Sequence, residues 1–373
     1  MGQTGTTRDA LDACYDAVFA QADWPVALDG LAKSIGAVGC SFHARDAGPE
    51  RLQLPASPHY HAFLKDFYTE GWWQNDHRGQ RAWPQAEAGR GGVFIEHDVA
   101  SDEERRRLPV YHELYPRYDV PWWAGVTFYA SGRLWAMPFL RSRSQGPFLP
   151  EERPMLAGLA PHLARIVTLA QHVAESSAQS ALRSVQELNV AALLCDRLGH
   201  VVDANDAAHM LLGDDFGLRH GVLIAGDPAS QADLSRLIQM TSVARSMSDA
   251  SADRSAIIRR RGATPLIVDA VPAAGIMADA FGRYGVLLLV RDPGARRTVS
   301  EARMRTAFGL TRAEARLAAL VGSGLTLQES AAQLAITANT AKTLLKLIFS
   351  KMGISRQAAL VRIAERLGPA AQD

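Results

Sequence analysis

The chain has 373 residues, 47% of them hydrophobic and 21% charged, with a net charge of +1. Those proportions are ordinary for folded globular domains and exclude a low-complexity or strongly charged disordered protein. The length suggests two or three domains. Three isolated cysteines with no C-x-x-C pair, Cys14, Cys40 and Cys195, exclude a disulfide framework.

Met1 opens a polar stretch, GQTGTTRDA, with no apolar signal region behind it. Toward the end of the middle region, the longest apolar run, Val286 to Val290, is far too short to span a bilayer. With small, reduced cysteines, this reads as a cytoplasmic protein that needs no membrane.

Residues 1–150 read as a first domain. Asp9 to Ser34 is helical, with Leu11, Tyr15, Val18 and Phe19 on one face. Ala37 to His43, Gly91 to Ile95 and Ala124 to Ala130 read as strands. Ser131-Gly132-Arg133 reads as a hairpin turn into Leu134 to Leu140. Helices outside a small antiparallel sheet give an α+β sensor architecture of the GAF or PAS kind.

All seven tryptophans lie in this stretch. Rings of this number fill cores and dimer surfaces, and they also line concavities that enclose a flat or apolar small molecule. The candidate lining is Tyr68, Trp72, Trp73, Trp83, Trp122, Trp123, Phe128 and Trp135.

Residues 151–187 read as a connecting helix. Leu156, Leu159, Leu163, Ile166, Ala170 and Val173 alternate three- and four-residue steps, the seam that paired helices need. The same seam would serve a helix lying on its own domain. Pro161 should kink or restart the helix, and Glu175 to Ala181, ESSAQSA, interrupts the pattern as a joint.

Residues 188–293 read as a third, α+β region. A strand, a turn at Asp196 to Gly199, a second strand and a helix capped by Asn205 resemble the opening of a PAS domain. Later strands fit Ser255 to Arg260, Pro265 to Val271 and Gly285 to Val290. Cys195 sits on the first strand, which does not suit a flavin-reactive cysteine. His209 alone is weak support for a haem ligand. No cofactor is expected.

Residues 304–367 read as an all-α module. Thr311 caps a helix carrying Leu317, Leu320 and Val321, and Gly322 and Gly324 break it. A second helix presents Ser330, Ala331 and Leu334 inward, and Thr337 opens a third after a short connection. On that third helix Ala341, Leu344, Leu345 and Ile348 form one apolar stripe, with Lys342 and Lys346 on the opposite face. A fourth helix, Gln357 to Arg366, should pack Ala358, Leu360 and Val361. This is the outline of a helix-turn-helix, whose second member enters the DNA major groove.

These residues resemble the LuxR-type (GerE-like) DNA-binding domain of bacterial transcription regulators. Leu310, Thr311 and Glu314 match its opening, and Ala331, Leu334, Ile336 and Thr337 its hinge. Thr340 and Lys342, then Ile348, Lys351 and Gly353, match the rest. Ala341 replaces the usual valine and Leu344 a common histidine, which keeps the stripe apolar. The stretch YTEGWWQNDHR, Tyr68 to Arg78, loosely resembles the ligand-binding part of the same family, although spacing departs and no Asp-Pro pair follows.

The resemblance implies a homodimer on double-stranded DNA, answering to a small-molecule effector, with RNA polymerase as a further partner. Candidate DNA-contacting residues are Thr337, Asn339, Thr340, Lys342, Thr343, Lys346, Lys351 and Arg356. Ten basic residues against four acidic ones between Glu301 and Arg366 leave a surplus of +6, and hence −5 for everything else. That asymmetry concentrates attraction for phosphate at one end. An alternative is a signalling scaffold that docks a partner protein through these helices.

Catalysis has no support. His112-Glu113 lacks a second histidine one turn on, and neither a G-x-S-x-G elbow nor a phosphate-binding G-x-x-x-x-G-K-[ST] occurs.

Overall fold

A computed structural model of the chain describes residues 6–47, 54–89, 91–242, 254–273, 279–295 and 300–367. It is a mixed α and β protein that divides into two compact units. The first comprises Met1–Gln179 with Ala273–Gly285, the second Ser180–Pro272 with Val286–Asp373. Among the described residues, no helix is long and apolar enough to cross a membrane.

Unit 1 is built on an antiparallel sheet of β1 (Gly39–Cys40), β2 (His43–Ala44), β3 (Gly92–Ile95), β4 (Trp122–Ala130) and β5 (Arg133–Arg141). The order is β1-β5-β4-β3, with β2 also on β5. Ser131 and Gly132, at φ 49° and 76°, make the tight hairpin turn between the two long strands. The expected strand from Ala37 to His43 is split, because Ser41 bridges to Ala56 instead of continuing along β5.

The period-two alternation of β4 and β5 buries two different cores, one on each face. Ala124, Val126, Phe128, Trp135, Met137 and Phe139 pack with α1 (Thr7–Ala17) and α2 (Trp24–Ser34). Trp123, Leu134, Ala136 and Leu140 face the other way. There they meet α3 (Pro58–Thr69), α4 (His77–Gly89) and the short helices α5 (Glu96–Val99), α7 (Val110–Glu113) and α8 (Tyr115–Tyr118), while α6 (Asp102–Arg107) buries no residue.

The expected pairing seam is already occupied. α9 (Arg153–Ala157) and α10 (Ala160–Glu187) follow the sheet, and Leu156, Leu159, Leu163, Ile166 and Ala170 are all buried in the core of α1 and α2. The stripe therefore covers the chain's own unit, not a second copy. Pro161 lies in the first turn of α10, where its missing N–H is not needed, so the helix restarts there. The expected interruption at 175–181 is not seen, because α10 runs through it unbroken, although the boundary between the two units falls within that stretch, after Gln179. Ala174, Ala178 and Leu182, one helical turn apart, are all buried, and Ala and Ser cost a helix little.

In unit 2, β6 (Ala191–Cys195), β7 (Val201–Ala204), β10 (Ser255–Arg260), β11 (Ala263–Pro272) and β12 (Val286–Arg291) form an antiparallel sheet ordered β10-β11-β12-β6-β7. Its first and last strands, β6 and β12, are hydrogen-bonded neighbours, so the sheet closes only when the chain returns. Asn205 caps α11 (Asp206–His209) as expected. Its oxygen accepts from Ala208 and Ala192, 3.0 Å each, while its amide donates to Val190 at 2.9 Å. Two elements here were not anticipated: the hairpin of β8 (Phe216–Arg219) with β9 (Val222–Ala225), and α12 (Pro228–Ser242).

The C-terminal helices have a core of their own, centred on Leu317, Ala318, Ala341, Ile348 and Leu360. They are α13 (Glu301–Phe308), α14 (Arg312–Gly322), α15 (Leu327–Gln333), α16 (Ala338–Met352) and α17 (Gln357–Leu367). Three start signals explain the register. Thr311 with Glu314 and Thr326 with Glu329 form capping boxes, and Thr337 accepts from the N–H of Thr340. On α17 it is Leu360 and Ala364 that are buried, while Ala358 is exposed.

Candidate nucleic-acid interface and ligand cavity

α16 is amphipathic in the sense the sequence predicts. Ala341, Ile348 and Met352 are buried, Leu344 and Leu345 are half-buried, and Asn339, Lys342, Thr343 and Lys346 are exposed. No ion pair engages Lys342 or Lys346 among the described residues. Two ammonium groups one turn apart, flanked by small hydroxyl and amide groups, suit contact with phosphates and limited reading of base edges.

The hydroxyls are partly committed. Thr337 and Thr340 share a 2.8 Å hydrogen bond while Thr337 caps the helix, and Thr343 donates to the carbonyl of Asn339 at 3.1 Å. Each keeps oxygen lone pairs free to accept. Arg356 is exposed just before α17.

Lys351 has a different situation. Its ammonium lies 2.6 Å from the carboxylate of Glu314, which is buried at the start of α14 and also takes the N–H of Thr311 at 2.7 Å. This tie joins the end of α16 to the beginning of α14. Lys351 first, then Thr311, holds the Glu314 carboxyl below the usual glutamate range. The ammonium of Lys351, on an exposed side chain, is thus paired with a buried carboxylate, unlike those of Lys342 and Lys346.

A cavity of ≈60 Å³ lies in unit 1, between the sheet and α3, α4 and α8. Tyr60, Phe63, Phe67, Trp83, Tyr115 and Trp123 line it with rings, and His43, Asp76, Arg78 and Thr127 add polar groups. Trp123 lies across Gly125, where an added Cβ would stand 2.5 Å from the indole ring. Burial pushes the phenols of Tyr60 and Tyr115 above the ordinary tyrosine range, so both remain O–H donors at neutral pH.

One wall is a buried polar knot. Arg78 donates its Nε–H to Oε1 of Glu96 at 3.4 Å and an Nη2–H to the carbonyl of Pro121 at 3.2 Å, and its Nη2 is ion-paired with Oε2 of Glu96 at 2.7 Å. Tyr111 donates to the same carboxylate, and the phenol oxygen meets Nε2 of His77 at 2.9 Å. The guanidinium lies 4.1 Å over the ring of Tyr115. Arg78 is 5% exposed and Glu96 0%, so each charge depends on the other. Burial alone would raise the Glu96 carboxyl, but Arg78, His77 and Tyr111 more than offset it and leave it below its ordinary range.

Of the eight rings expected to line a cavity, the structure brings together Trp83 and Trp123. Phe128 and Trp135, cross-strand partners, point to the opposite face of the sheet. Tyr68 is buried in the same core as the lining rings but does not line the cavity. Trp72 donates its N–H to Glu70, Trp73 is 41% exposed, and Trp122 stacks on His97 at 5.9 Å. The rings that sequence reading missed are Tyr60, Phe63, Phe67 and Tyr115, of which the first three recur at three- and four-residue steps, a readable helical face. Asp76 and Arg78 lie in the stretch Tyr68 to Arg78 singled out above, whereas His43 and Thr127 carried no signal.

No family model matches the chain, and no curated protein matches it. Solved structures resemble it in part. The ligand-binding domain of VqsR from Pseudomonas aeruginosa is 16% identical with a TM-score of 0.32, over 44% of this chain and 96% of that one. CepR2 from Burkholderia cenocepacia, described as an N-acylhomoserine lactone dependent LuxR family transcription factor, is 16% identical with a TM-score of 0.30, over 44% and 93%. A phage VqmA–DPO complex is 14% identical with a TM-score of 0.24, over 54% and 93%. Likeness at this level carries no weight for function, which has to come from the residues.

Proposed function

We propose that the chain is a DNA-binding transcription regulator whose terminal helices contact duplex DNA through α16. The observation that carries this reading is the display of Lys342 and Lys346, exposed and without an ion pair among the described residues, opposite the buried Ala341 and Ile348. The surplus of +6 around them supports it, because phosphate attraction dominates nucleic-acid affinity. Asn339, Thr340 and Thr343 then offer groups for base edges, Thr337 sets the helix start, and Arg356 adds a phosphate contact. The reading casts Lys351 as a brace for the helix more than as a contact.

The regulator acts as a homodimer on DNA, two α16 helices meeting half-sites about 34 Å apart. The stripe on α9 and α10 is consumed within unit 1, so pairing uses another surface. Unit 1 is the sensor, and its effector is a compact, flat or apolar molecule, because a cavity of ≈60 Å³ ringed by aromatics admits little more without rearrangement. Such an effector changes DNA binding only as far as it distinguishes two arrangements of the protein.

Fluorescence anisotropy of the full chain with mixed-sequence duplex DNA at low salt tests the reading. Saturable binding that weakens steeply with salt is expected. Absence of binding, together with capture of a protein partner by the isolated helices, would favour a scaffold role.

A further inference from the structure

Among the described residues of α13 to α17, Leu347 is the one large apolar side chain that stands exposed, at 49%. Its neighbours on α16 obey the amphipathic rule, with Ile348 buried and Leu344, Leu345 and Phe349 half-buried against the helical core. Leu347 follows Lys346 and lies one turn after Thr343 and one turn before Ser350, all of them exposed. A leucine exposed alone on an ordinary surface needs no explanation. This one interrupts a face otherwise made of an amide, amines and hydroxyls, those of Asn339, Lys342, Thr343, Lys346 and Ser350. Thr343 adds a second apolar group beside it. Its hydroxyl hydrogen is donated to the carbonyl of Asn339 at 3.1 Å, which leaves a methyl and an accepting oxygen for anything outside the helix.

Building on α16 as the DNA-contacting helix, we infer that Leu347, with the methyl of Thr343 beside it, recognises the 5-methyl group of a thymine in the major groove. Base edges in that groove carry hydrogen-bond donors and acceptors, and the thymine methyl is the apolar group among them. A side chain with neither donor nor acceptor gains nothing from the edges of guanine, adenine or cytosine, and covering them removes their water without replacing it. Leucine at this place therefore favours thymine. The flanking cations select the kind of partner, because Lys342 and Lys346 belong to a segment of +6 that suits a polyanion. Thr343 and Leu347 are about 6 Å apart along the helix axis, close to two base-pair steps of about 3.4 Å, so both act on one short stretch of the half-site. The two lysines then give affinity for any duplex, and Leu347 gives preference for those with thymine at one fixed place.

Anisotropy titrations of the full chain test it, using a duplex selected from a randomised library by the wild-type protein. Each thymine of that duplex is replaced in turn by uracil, which pairs with adenine in the same way and lacks only the methyl group. One replacement should weaken wild-type binding about fourfold, the equivalent of one buried methyl group. Leu347 lies outside the helical core, so Leu347→Ala keeps the fold. That variant should bind the thymine and uracil duplexes alike, and its salt slope should match the wild type because no phosphate contact is lost. Thr343→Ser keeps the hydroxyl and loses the methyl, so it should lower the thymine preference in part. A Leu347→Ala protein that still prefers thymine about fourfold would overturn the inference and leave α16 on DNA. So would a wild-type protein that binds duplex DNA yet is indifferent to every uracil replacement. Failure of the wild type to bind any duplex is a different result, and removes the DNA reading itself along with the inference.

Discussion

Replacing Glu96 with glutamine asks whether the buried knot beside the cavity is held by charge. Glutamine keeps the shape and an oxygen to accept from Tyr111, but leaves Arg78, 5% exposed, without a counter-charge. Breaking a buried pair from one side costs about 3–5 kcal/mol, because the remaining ion is still out of water. The retained hydrogen bonds put the expected loss near the lower end, about 3 kcal/mol. In a unit of this size that lowers Tm by about 6–12 °C. Every tryptophan of the chain lies between Trp24 and Trp135, so indole emission in thermal and urea melts reports unit 1 alone. Adding Arg78→Met to Glu96→Gln removes the orphaned cation, and the double variant should be more stable than the sum of the singles by about 2 kcal/mol or more. The pH sign follows from the depressed Glu96 carboxyl. Its contribution is fully present above the ordinary glutamate range and is lost as pH falls through the lower folded value, so acid should unfold wild-type unit 1 more steeply than the double variant. A single variant within about 1 kcal/mol of wild type, or simple additivity, would refute the argument.

Other outcomes follow from single contacts. Ala335, in the turn between α15 and α16, has φ 53°, so Ala335→Gly should relieve left-handed strain and stabilise the C-terminal helices by up to about 1 kcal/mol in urea melts. Lys351→Ala should destabilise the same helices by about 1 kcal/mol while changing the salt slope of DNA binding less than loss of Lys342 or Lys346, a difference anisotropy titrations detect. Gly125→Ala should displace the indole of Trp123, cost about 1–3 kcal/mol, and alter the near-UV circular dichroism of unit 1.

Local signals were readable where one stretch of chain settles its own conformation. Thr311 with Glu314, Asn205 before α11, and Ser131-Gly132 between two alternating strands all satisfy their own backbone groups, and each stands where the sequence reading put it. What the sequence left open depends on distant partners. The Leu156 to Ala170 stripe has the same spacing whether it covers its own sheet or a second copy, and only the fold shows that it packs with α1 and α2. Arg78 and Glu96 are 18 residues apart with nothing periodic to connect them. Trp122 and Trp123 are adjacent, yet alternation sends one to a surface stack with His97 and the other into the cavity. Phe281 lies in a stretch whose neighbours in sequence belong to another unit. On α16, by contrast, the apolar stripe and the lysine face were both legible, because an amphipathic helix declares its buried side by spacing alone.

The salt dependence of DNA binding by the Lys342→Ala and Lys346→Ala variants tests the central claim most directly. If both ammonium groups meet phosphates, each substitution weakens binding to all duplexes alike and lowers the slope of log K against log salt by about one, and the double variant by about two. Affinity and slope identical to wild type in both variants would contradict the placement of α16 on DNA.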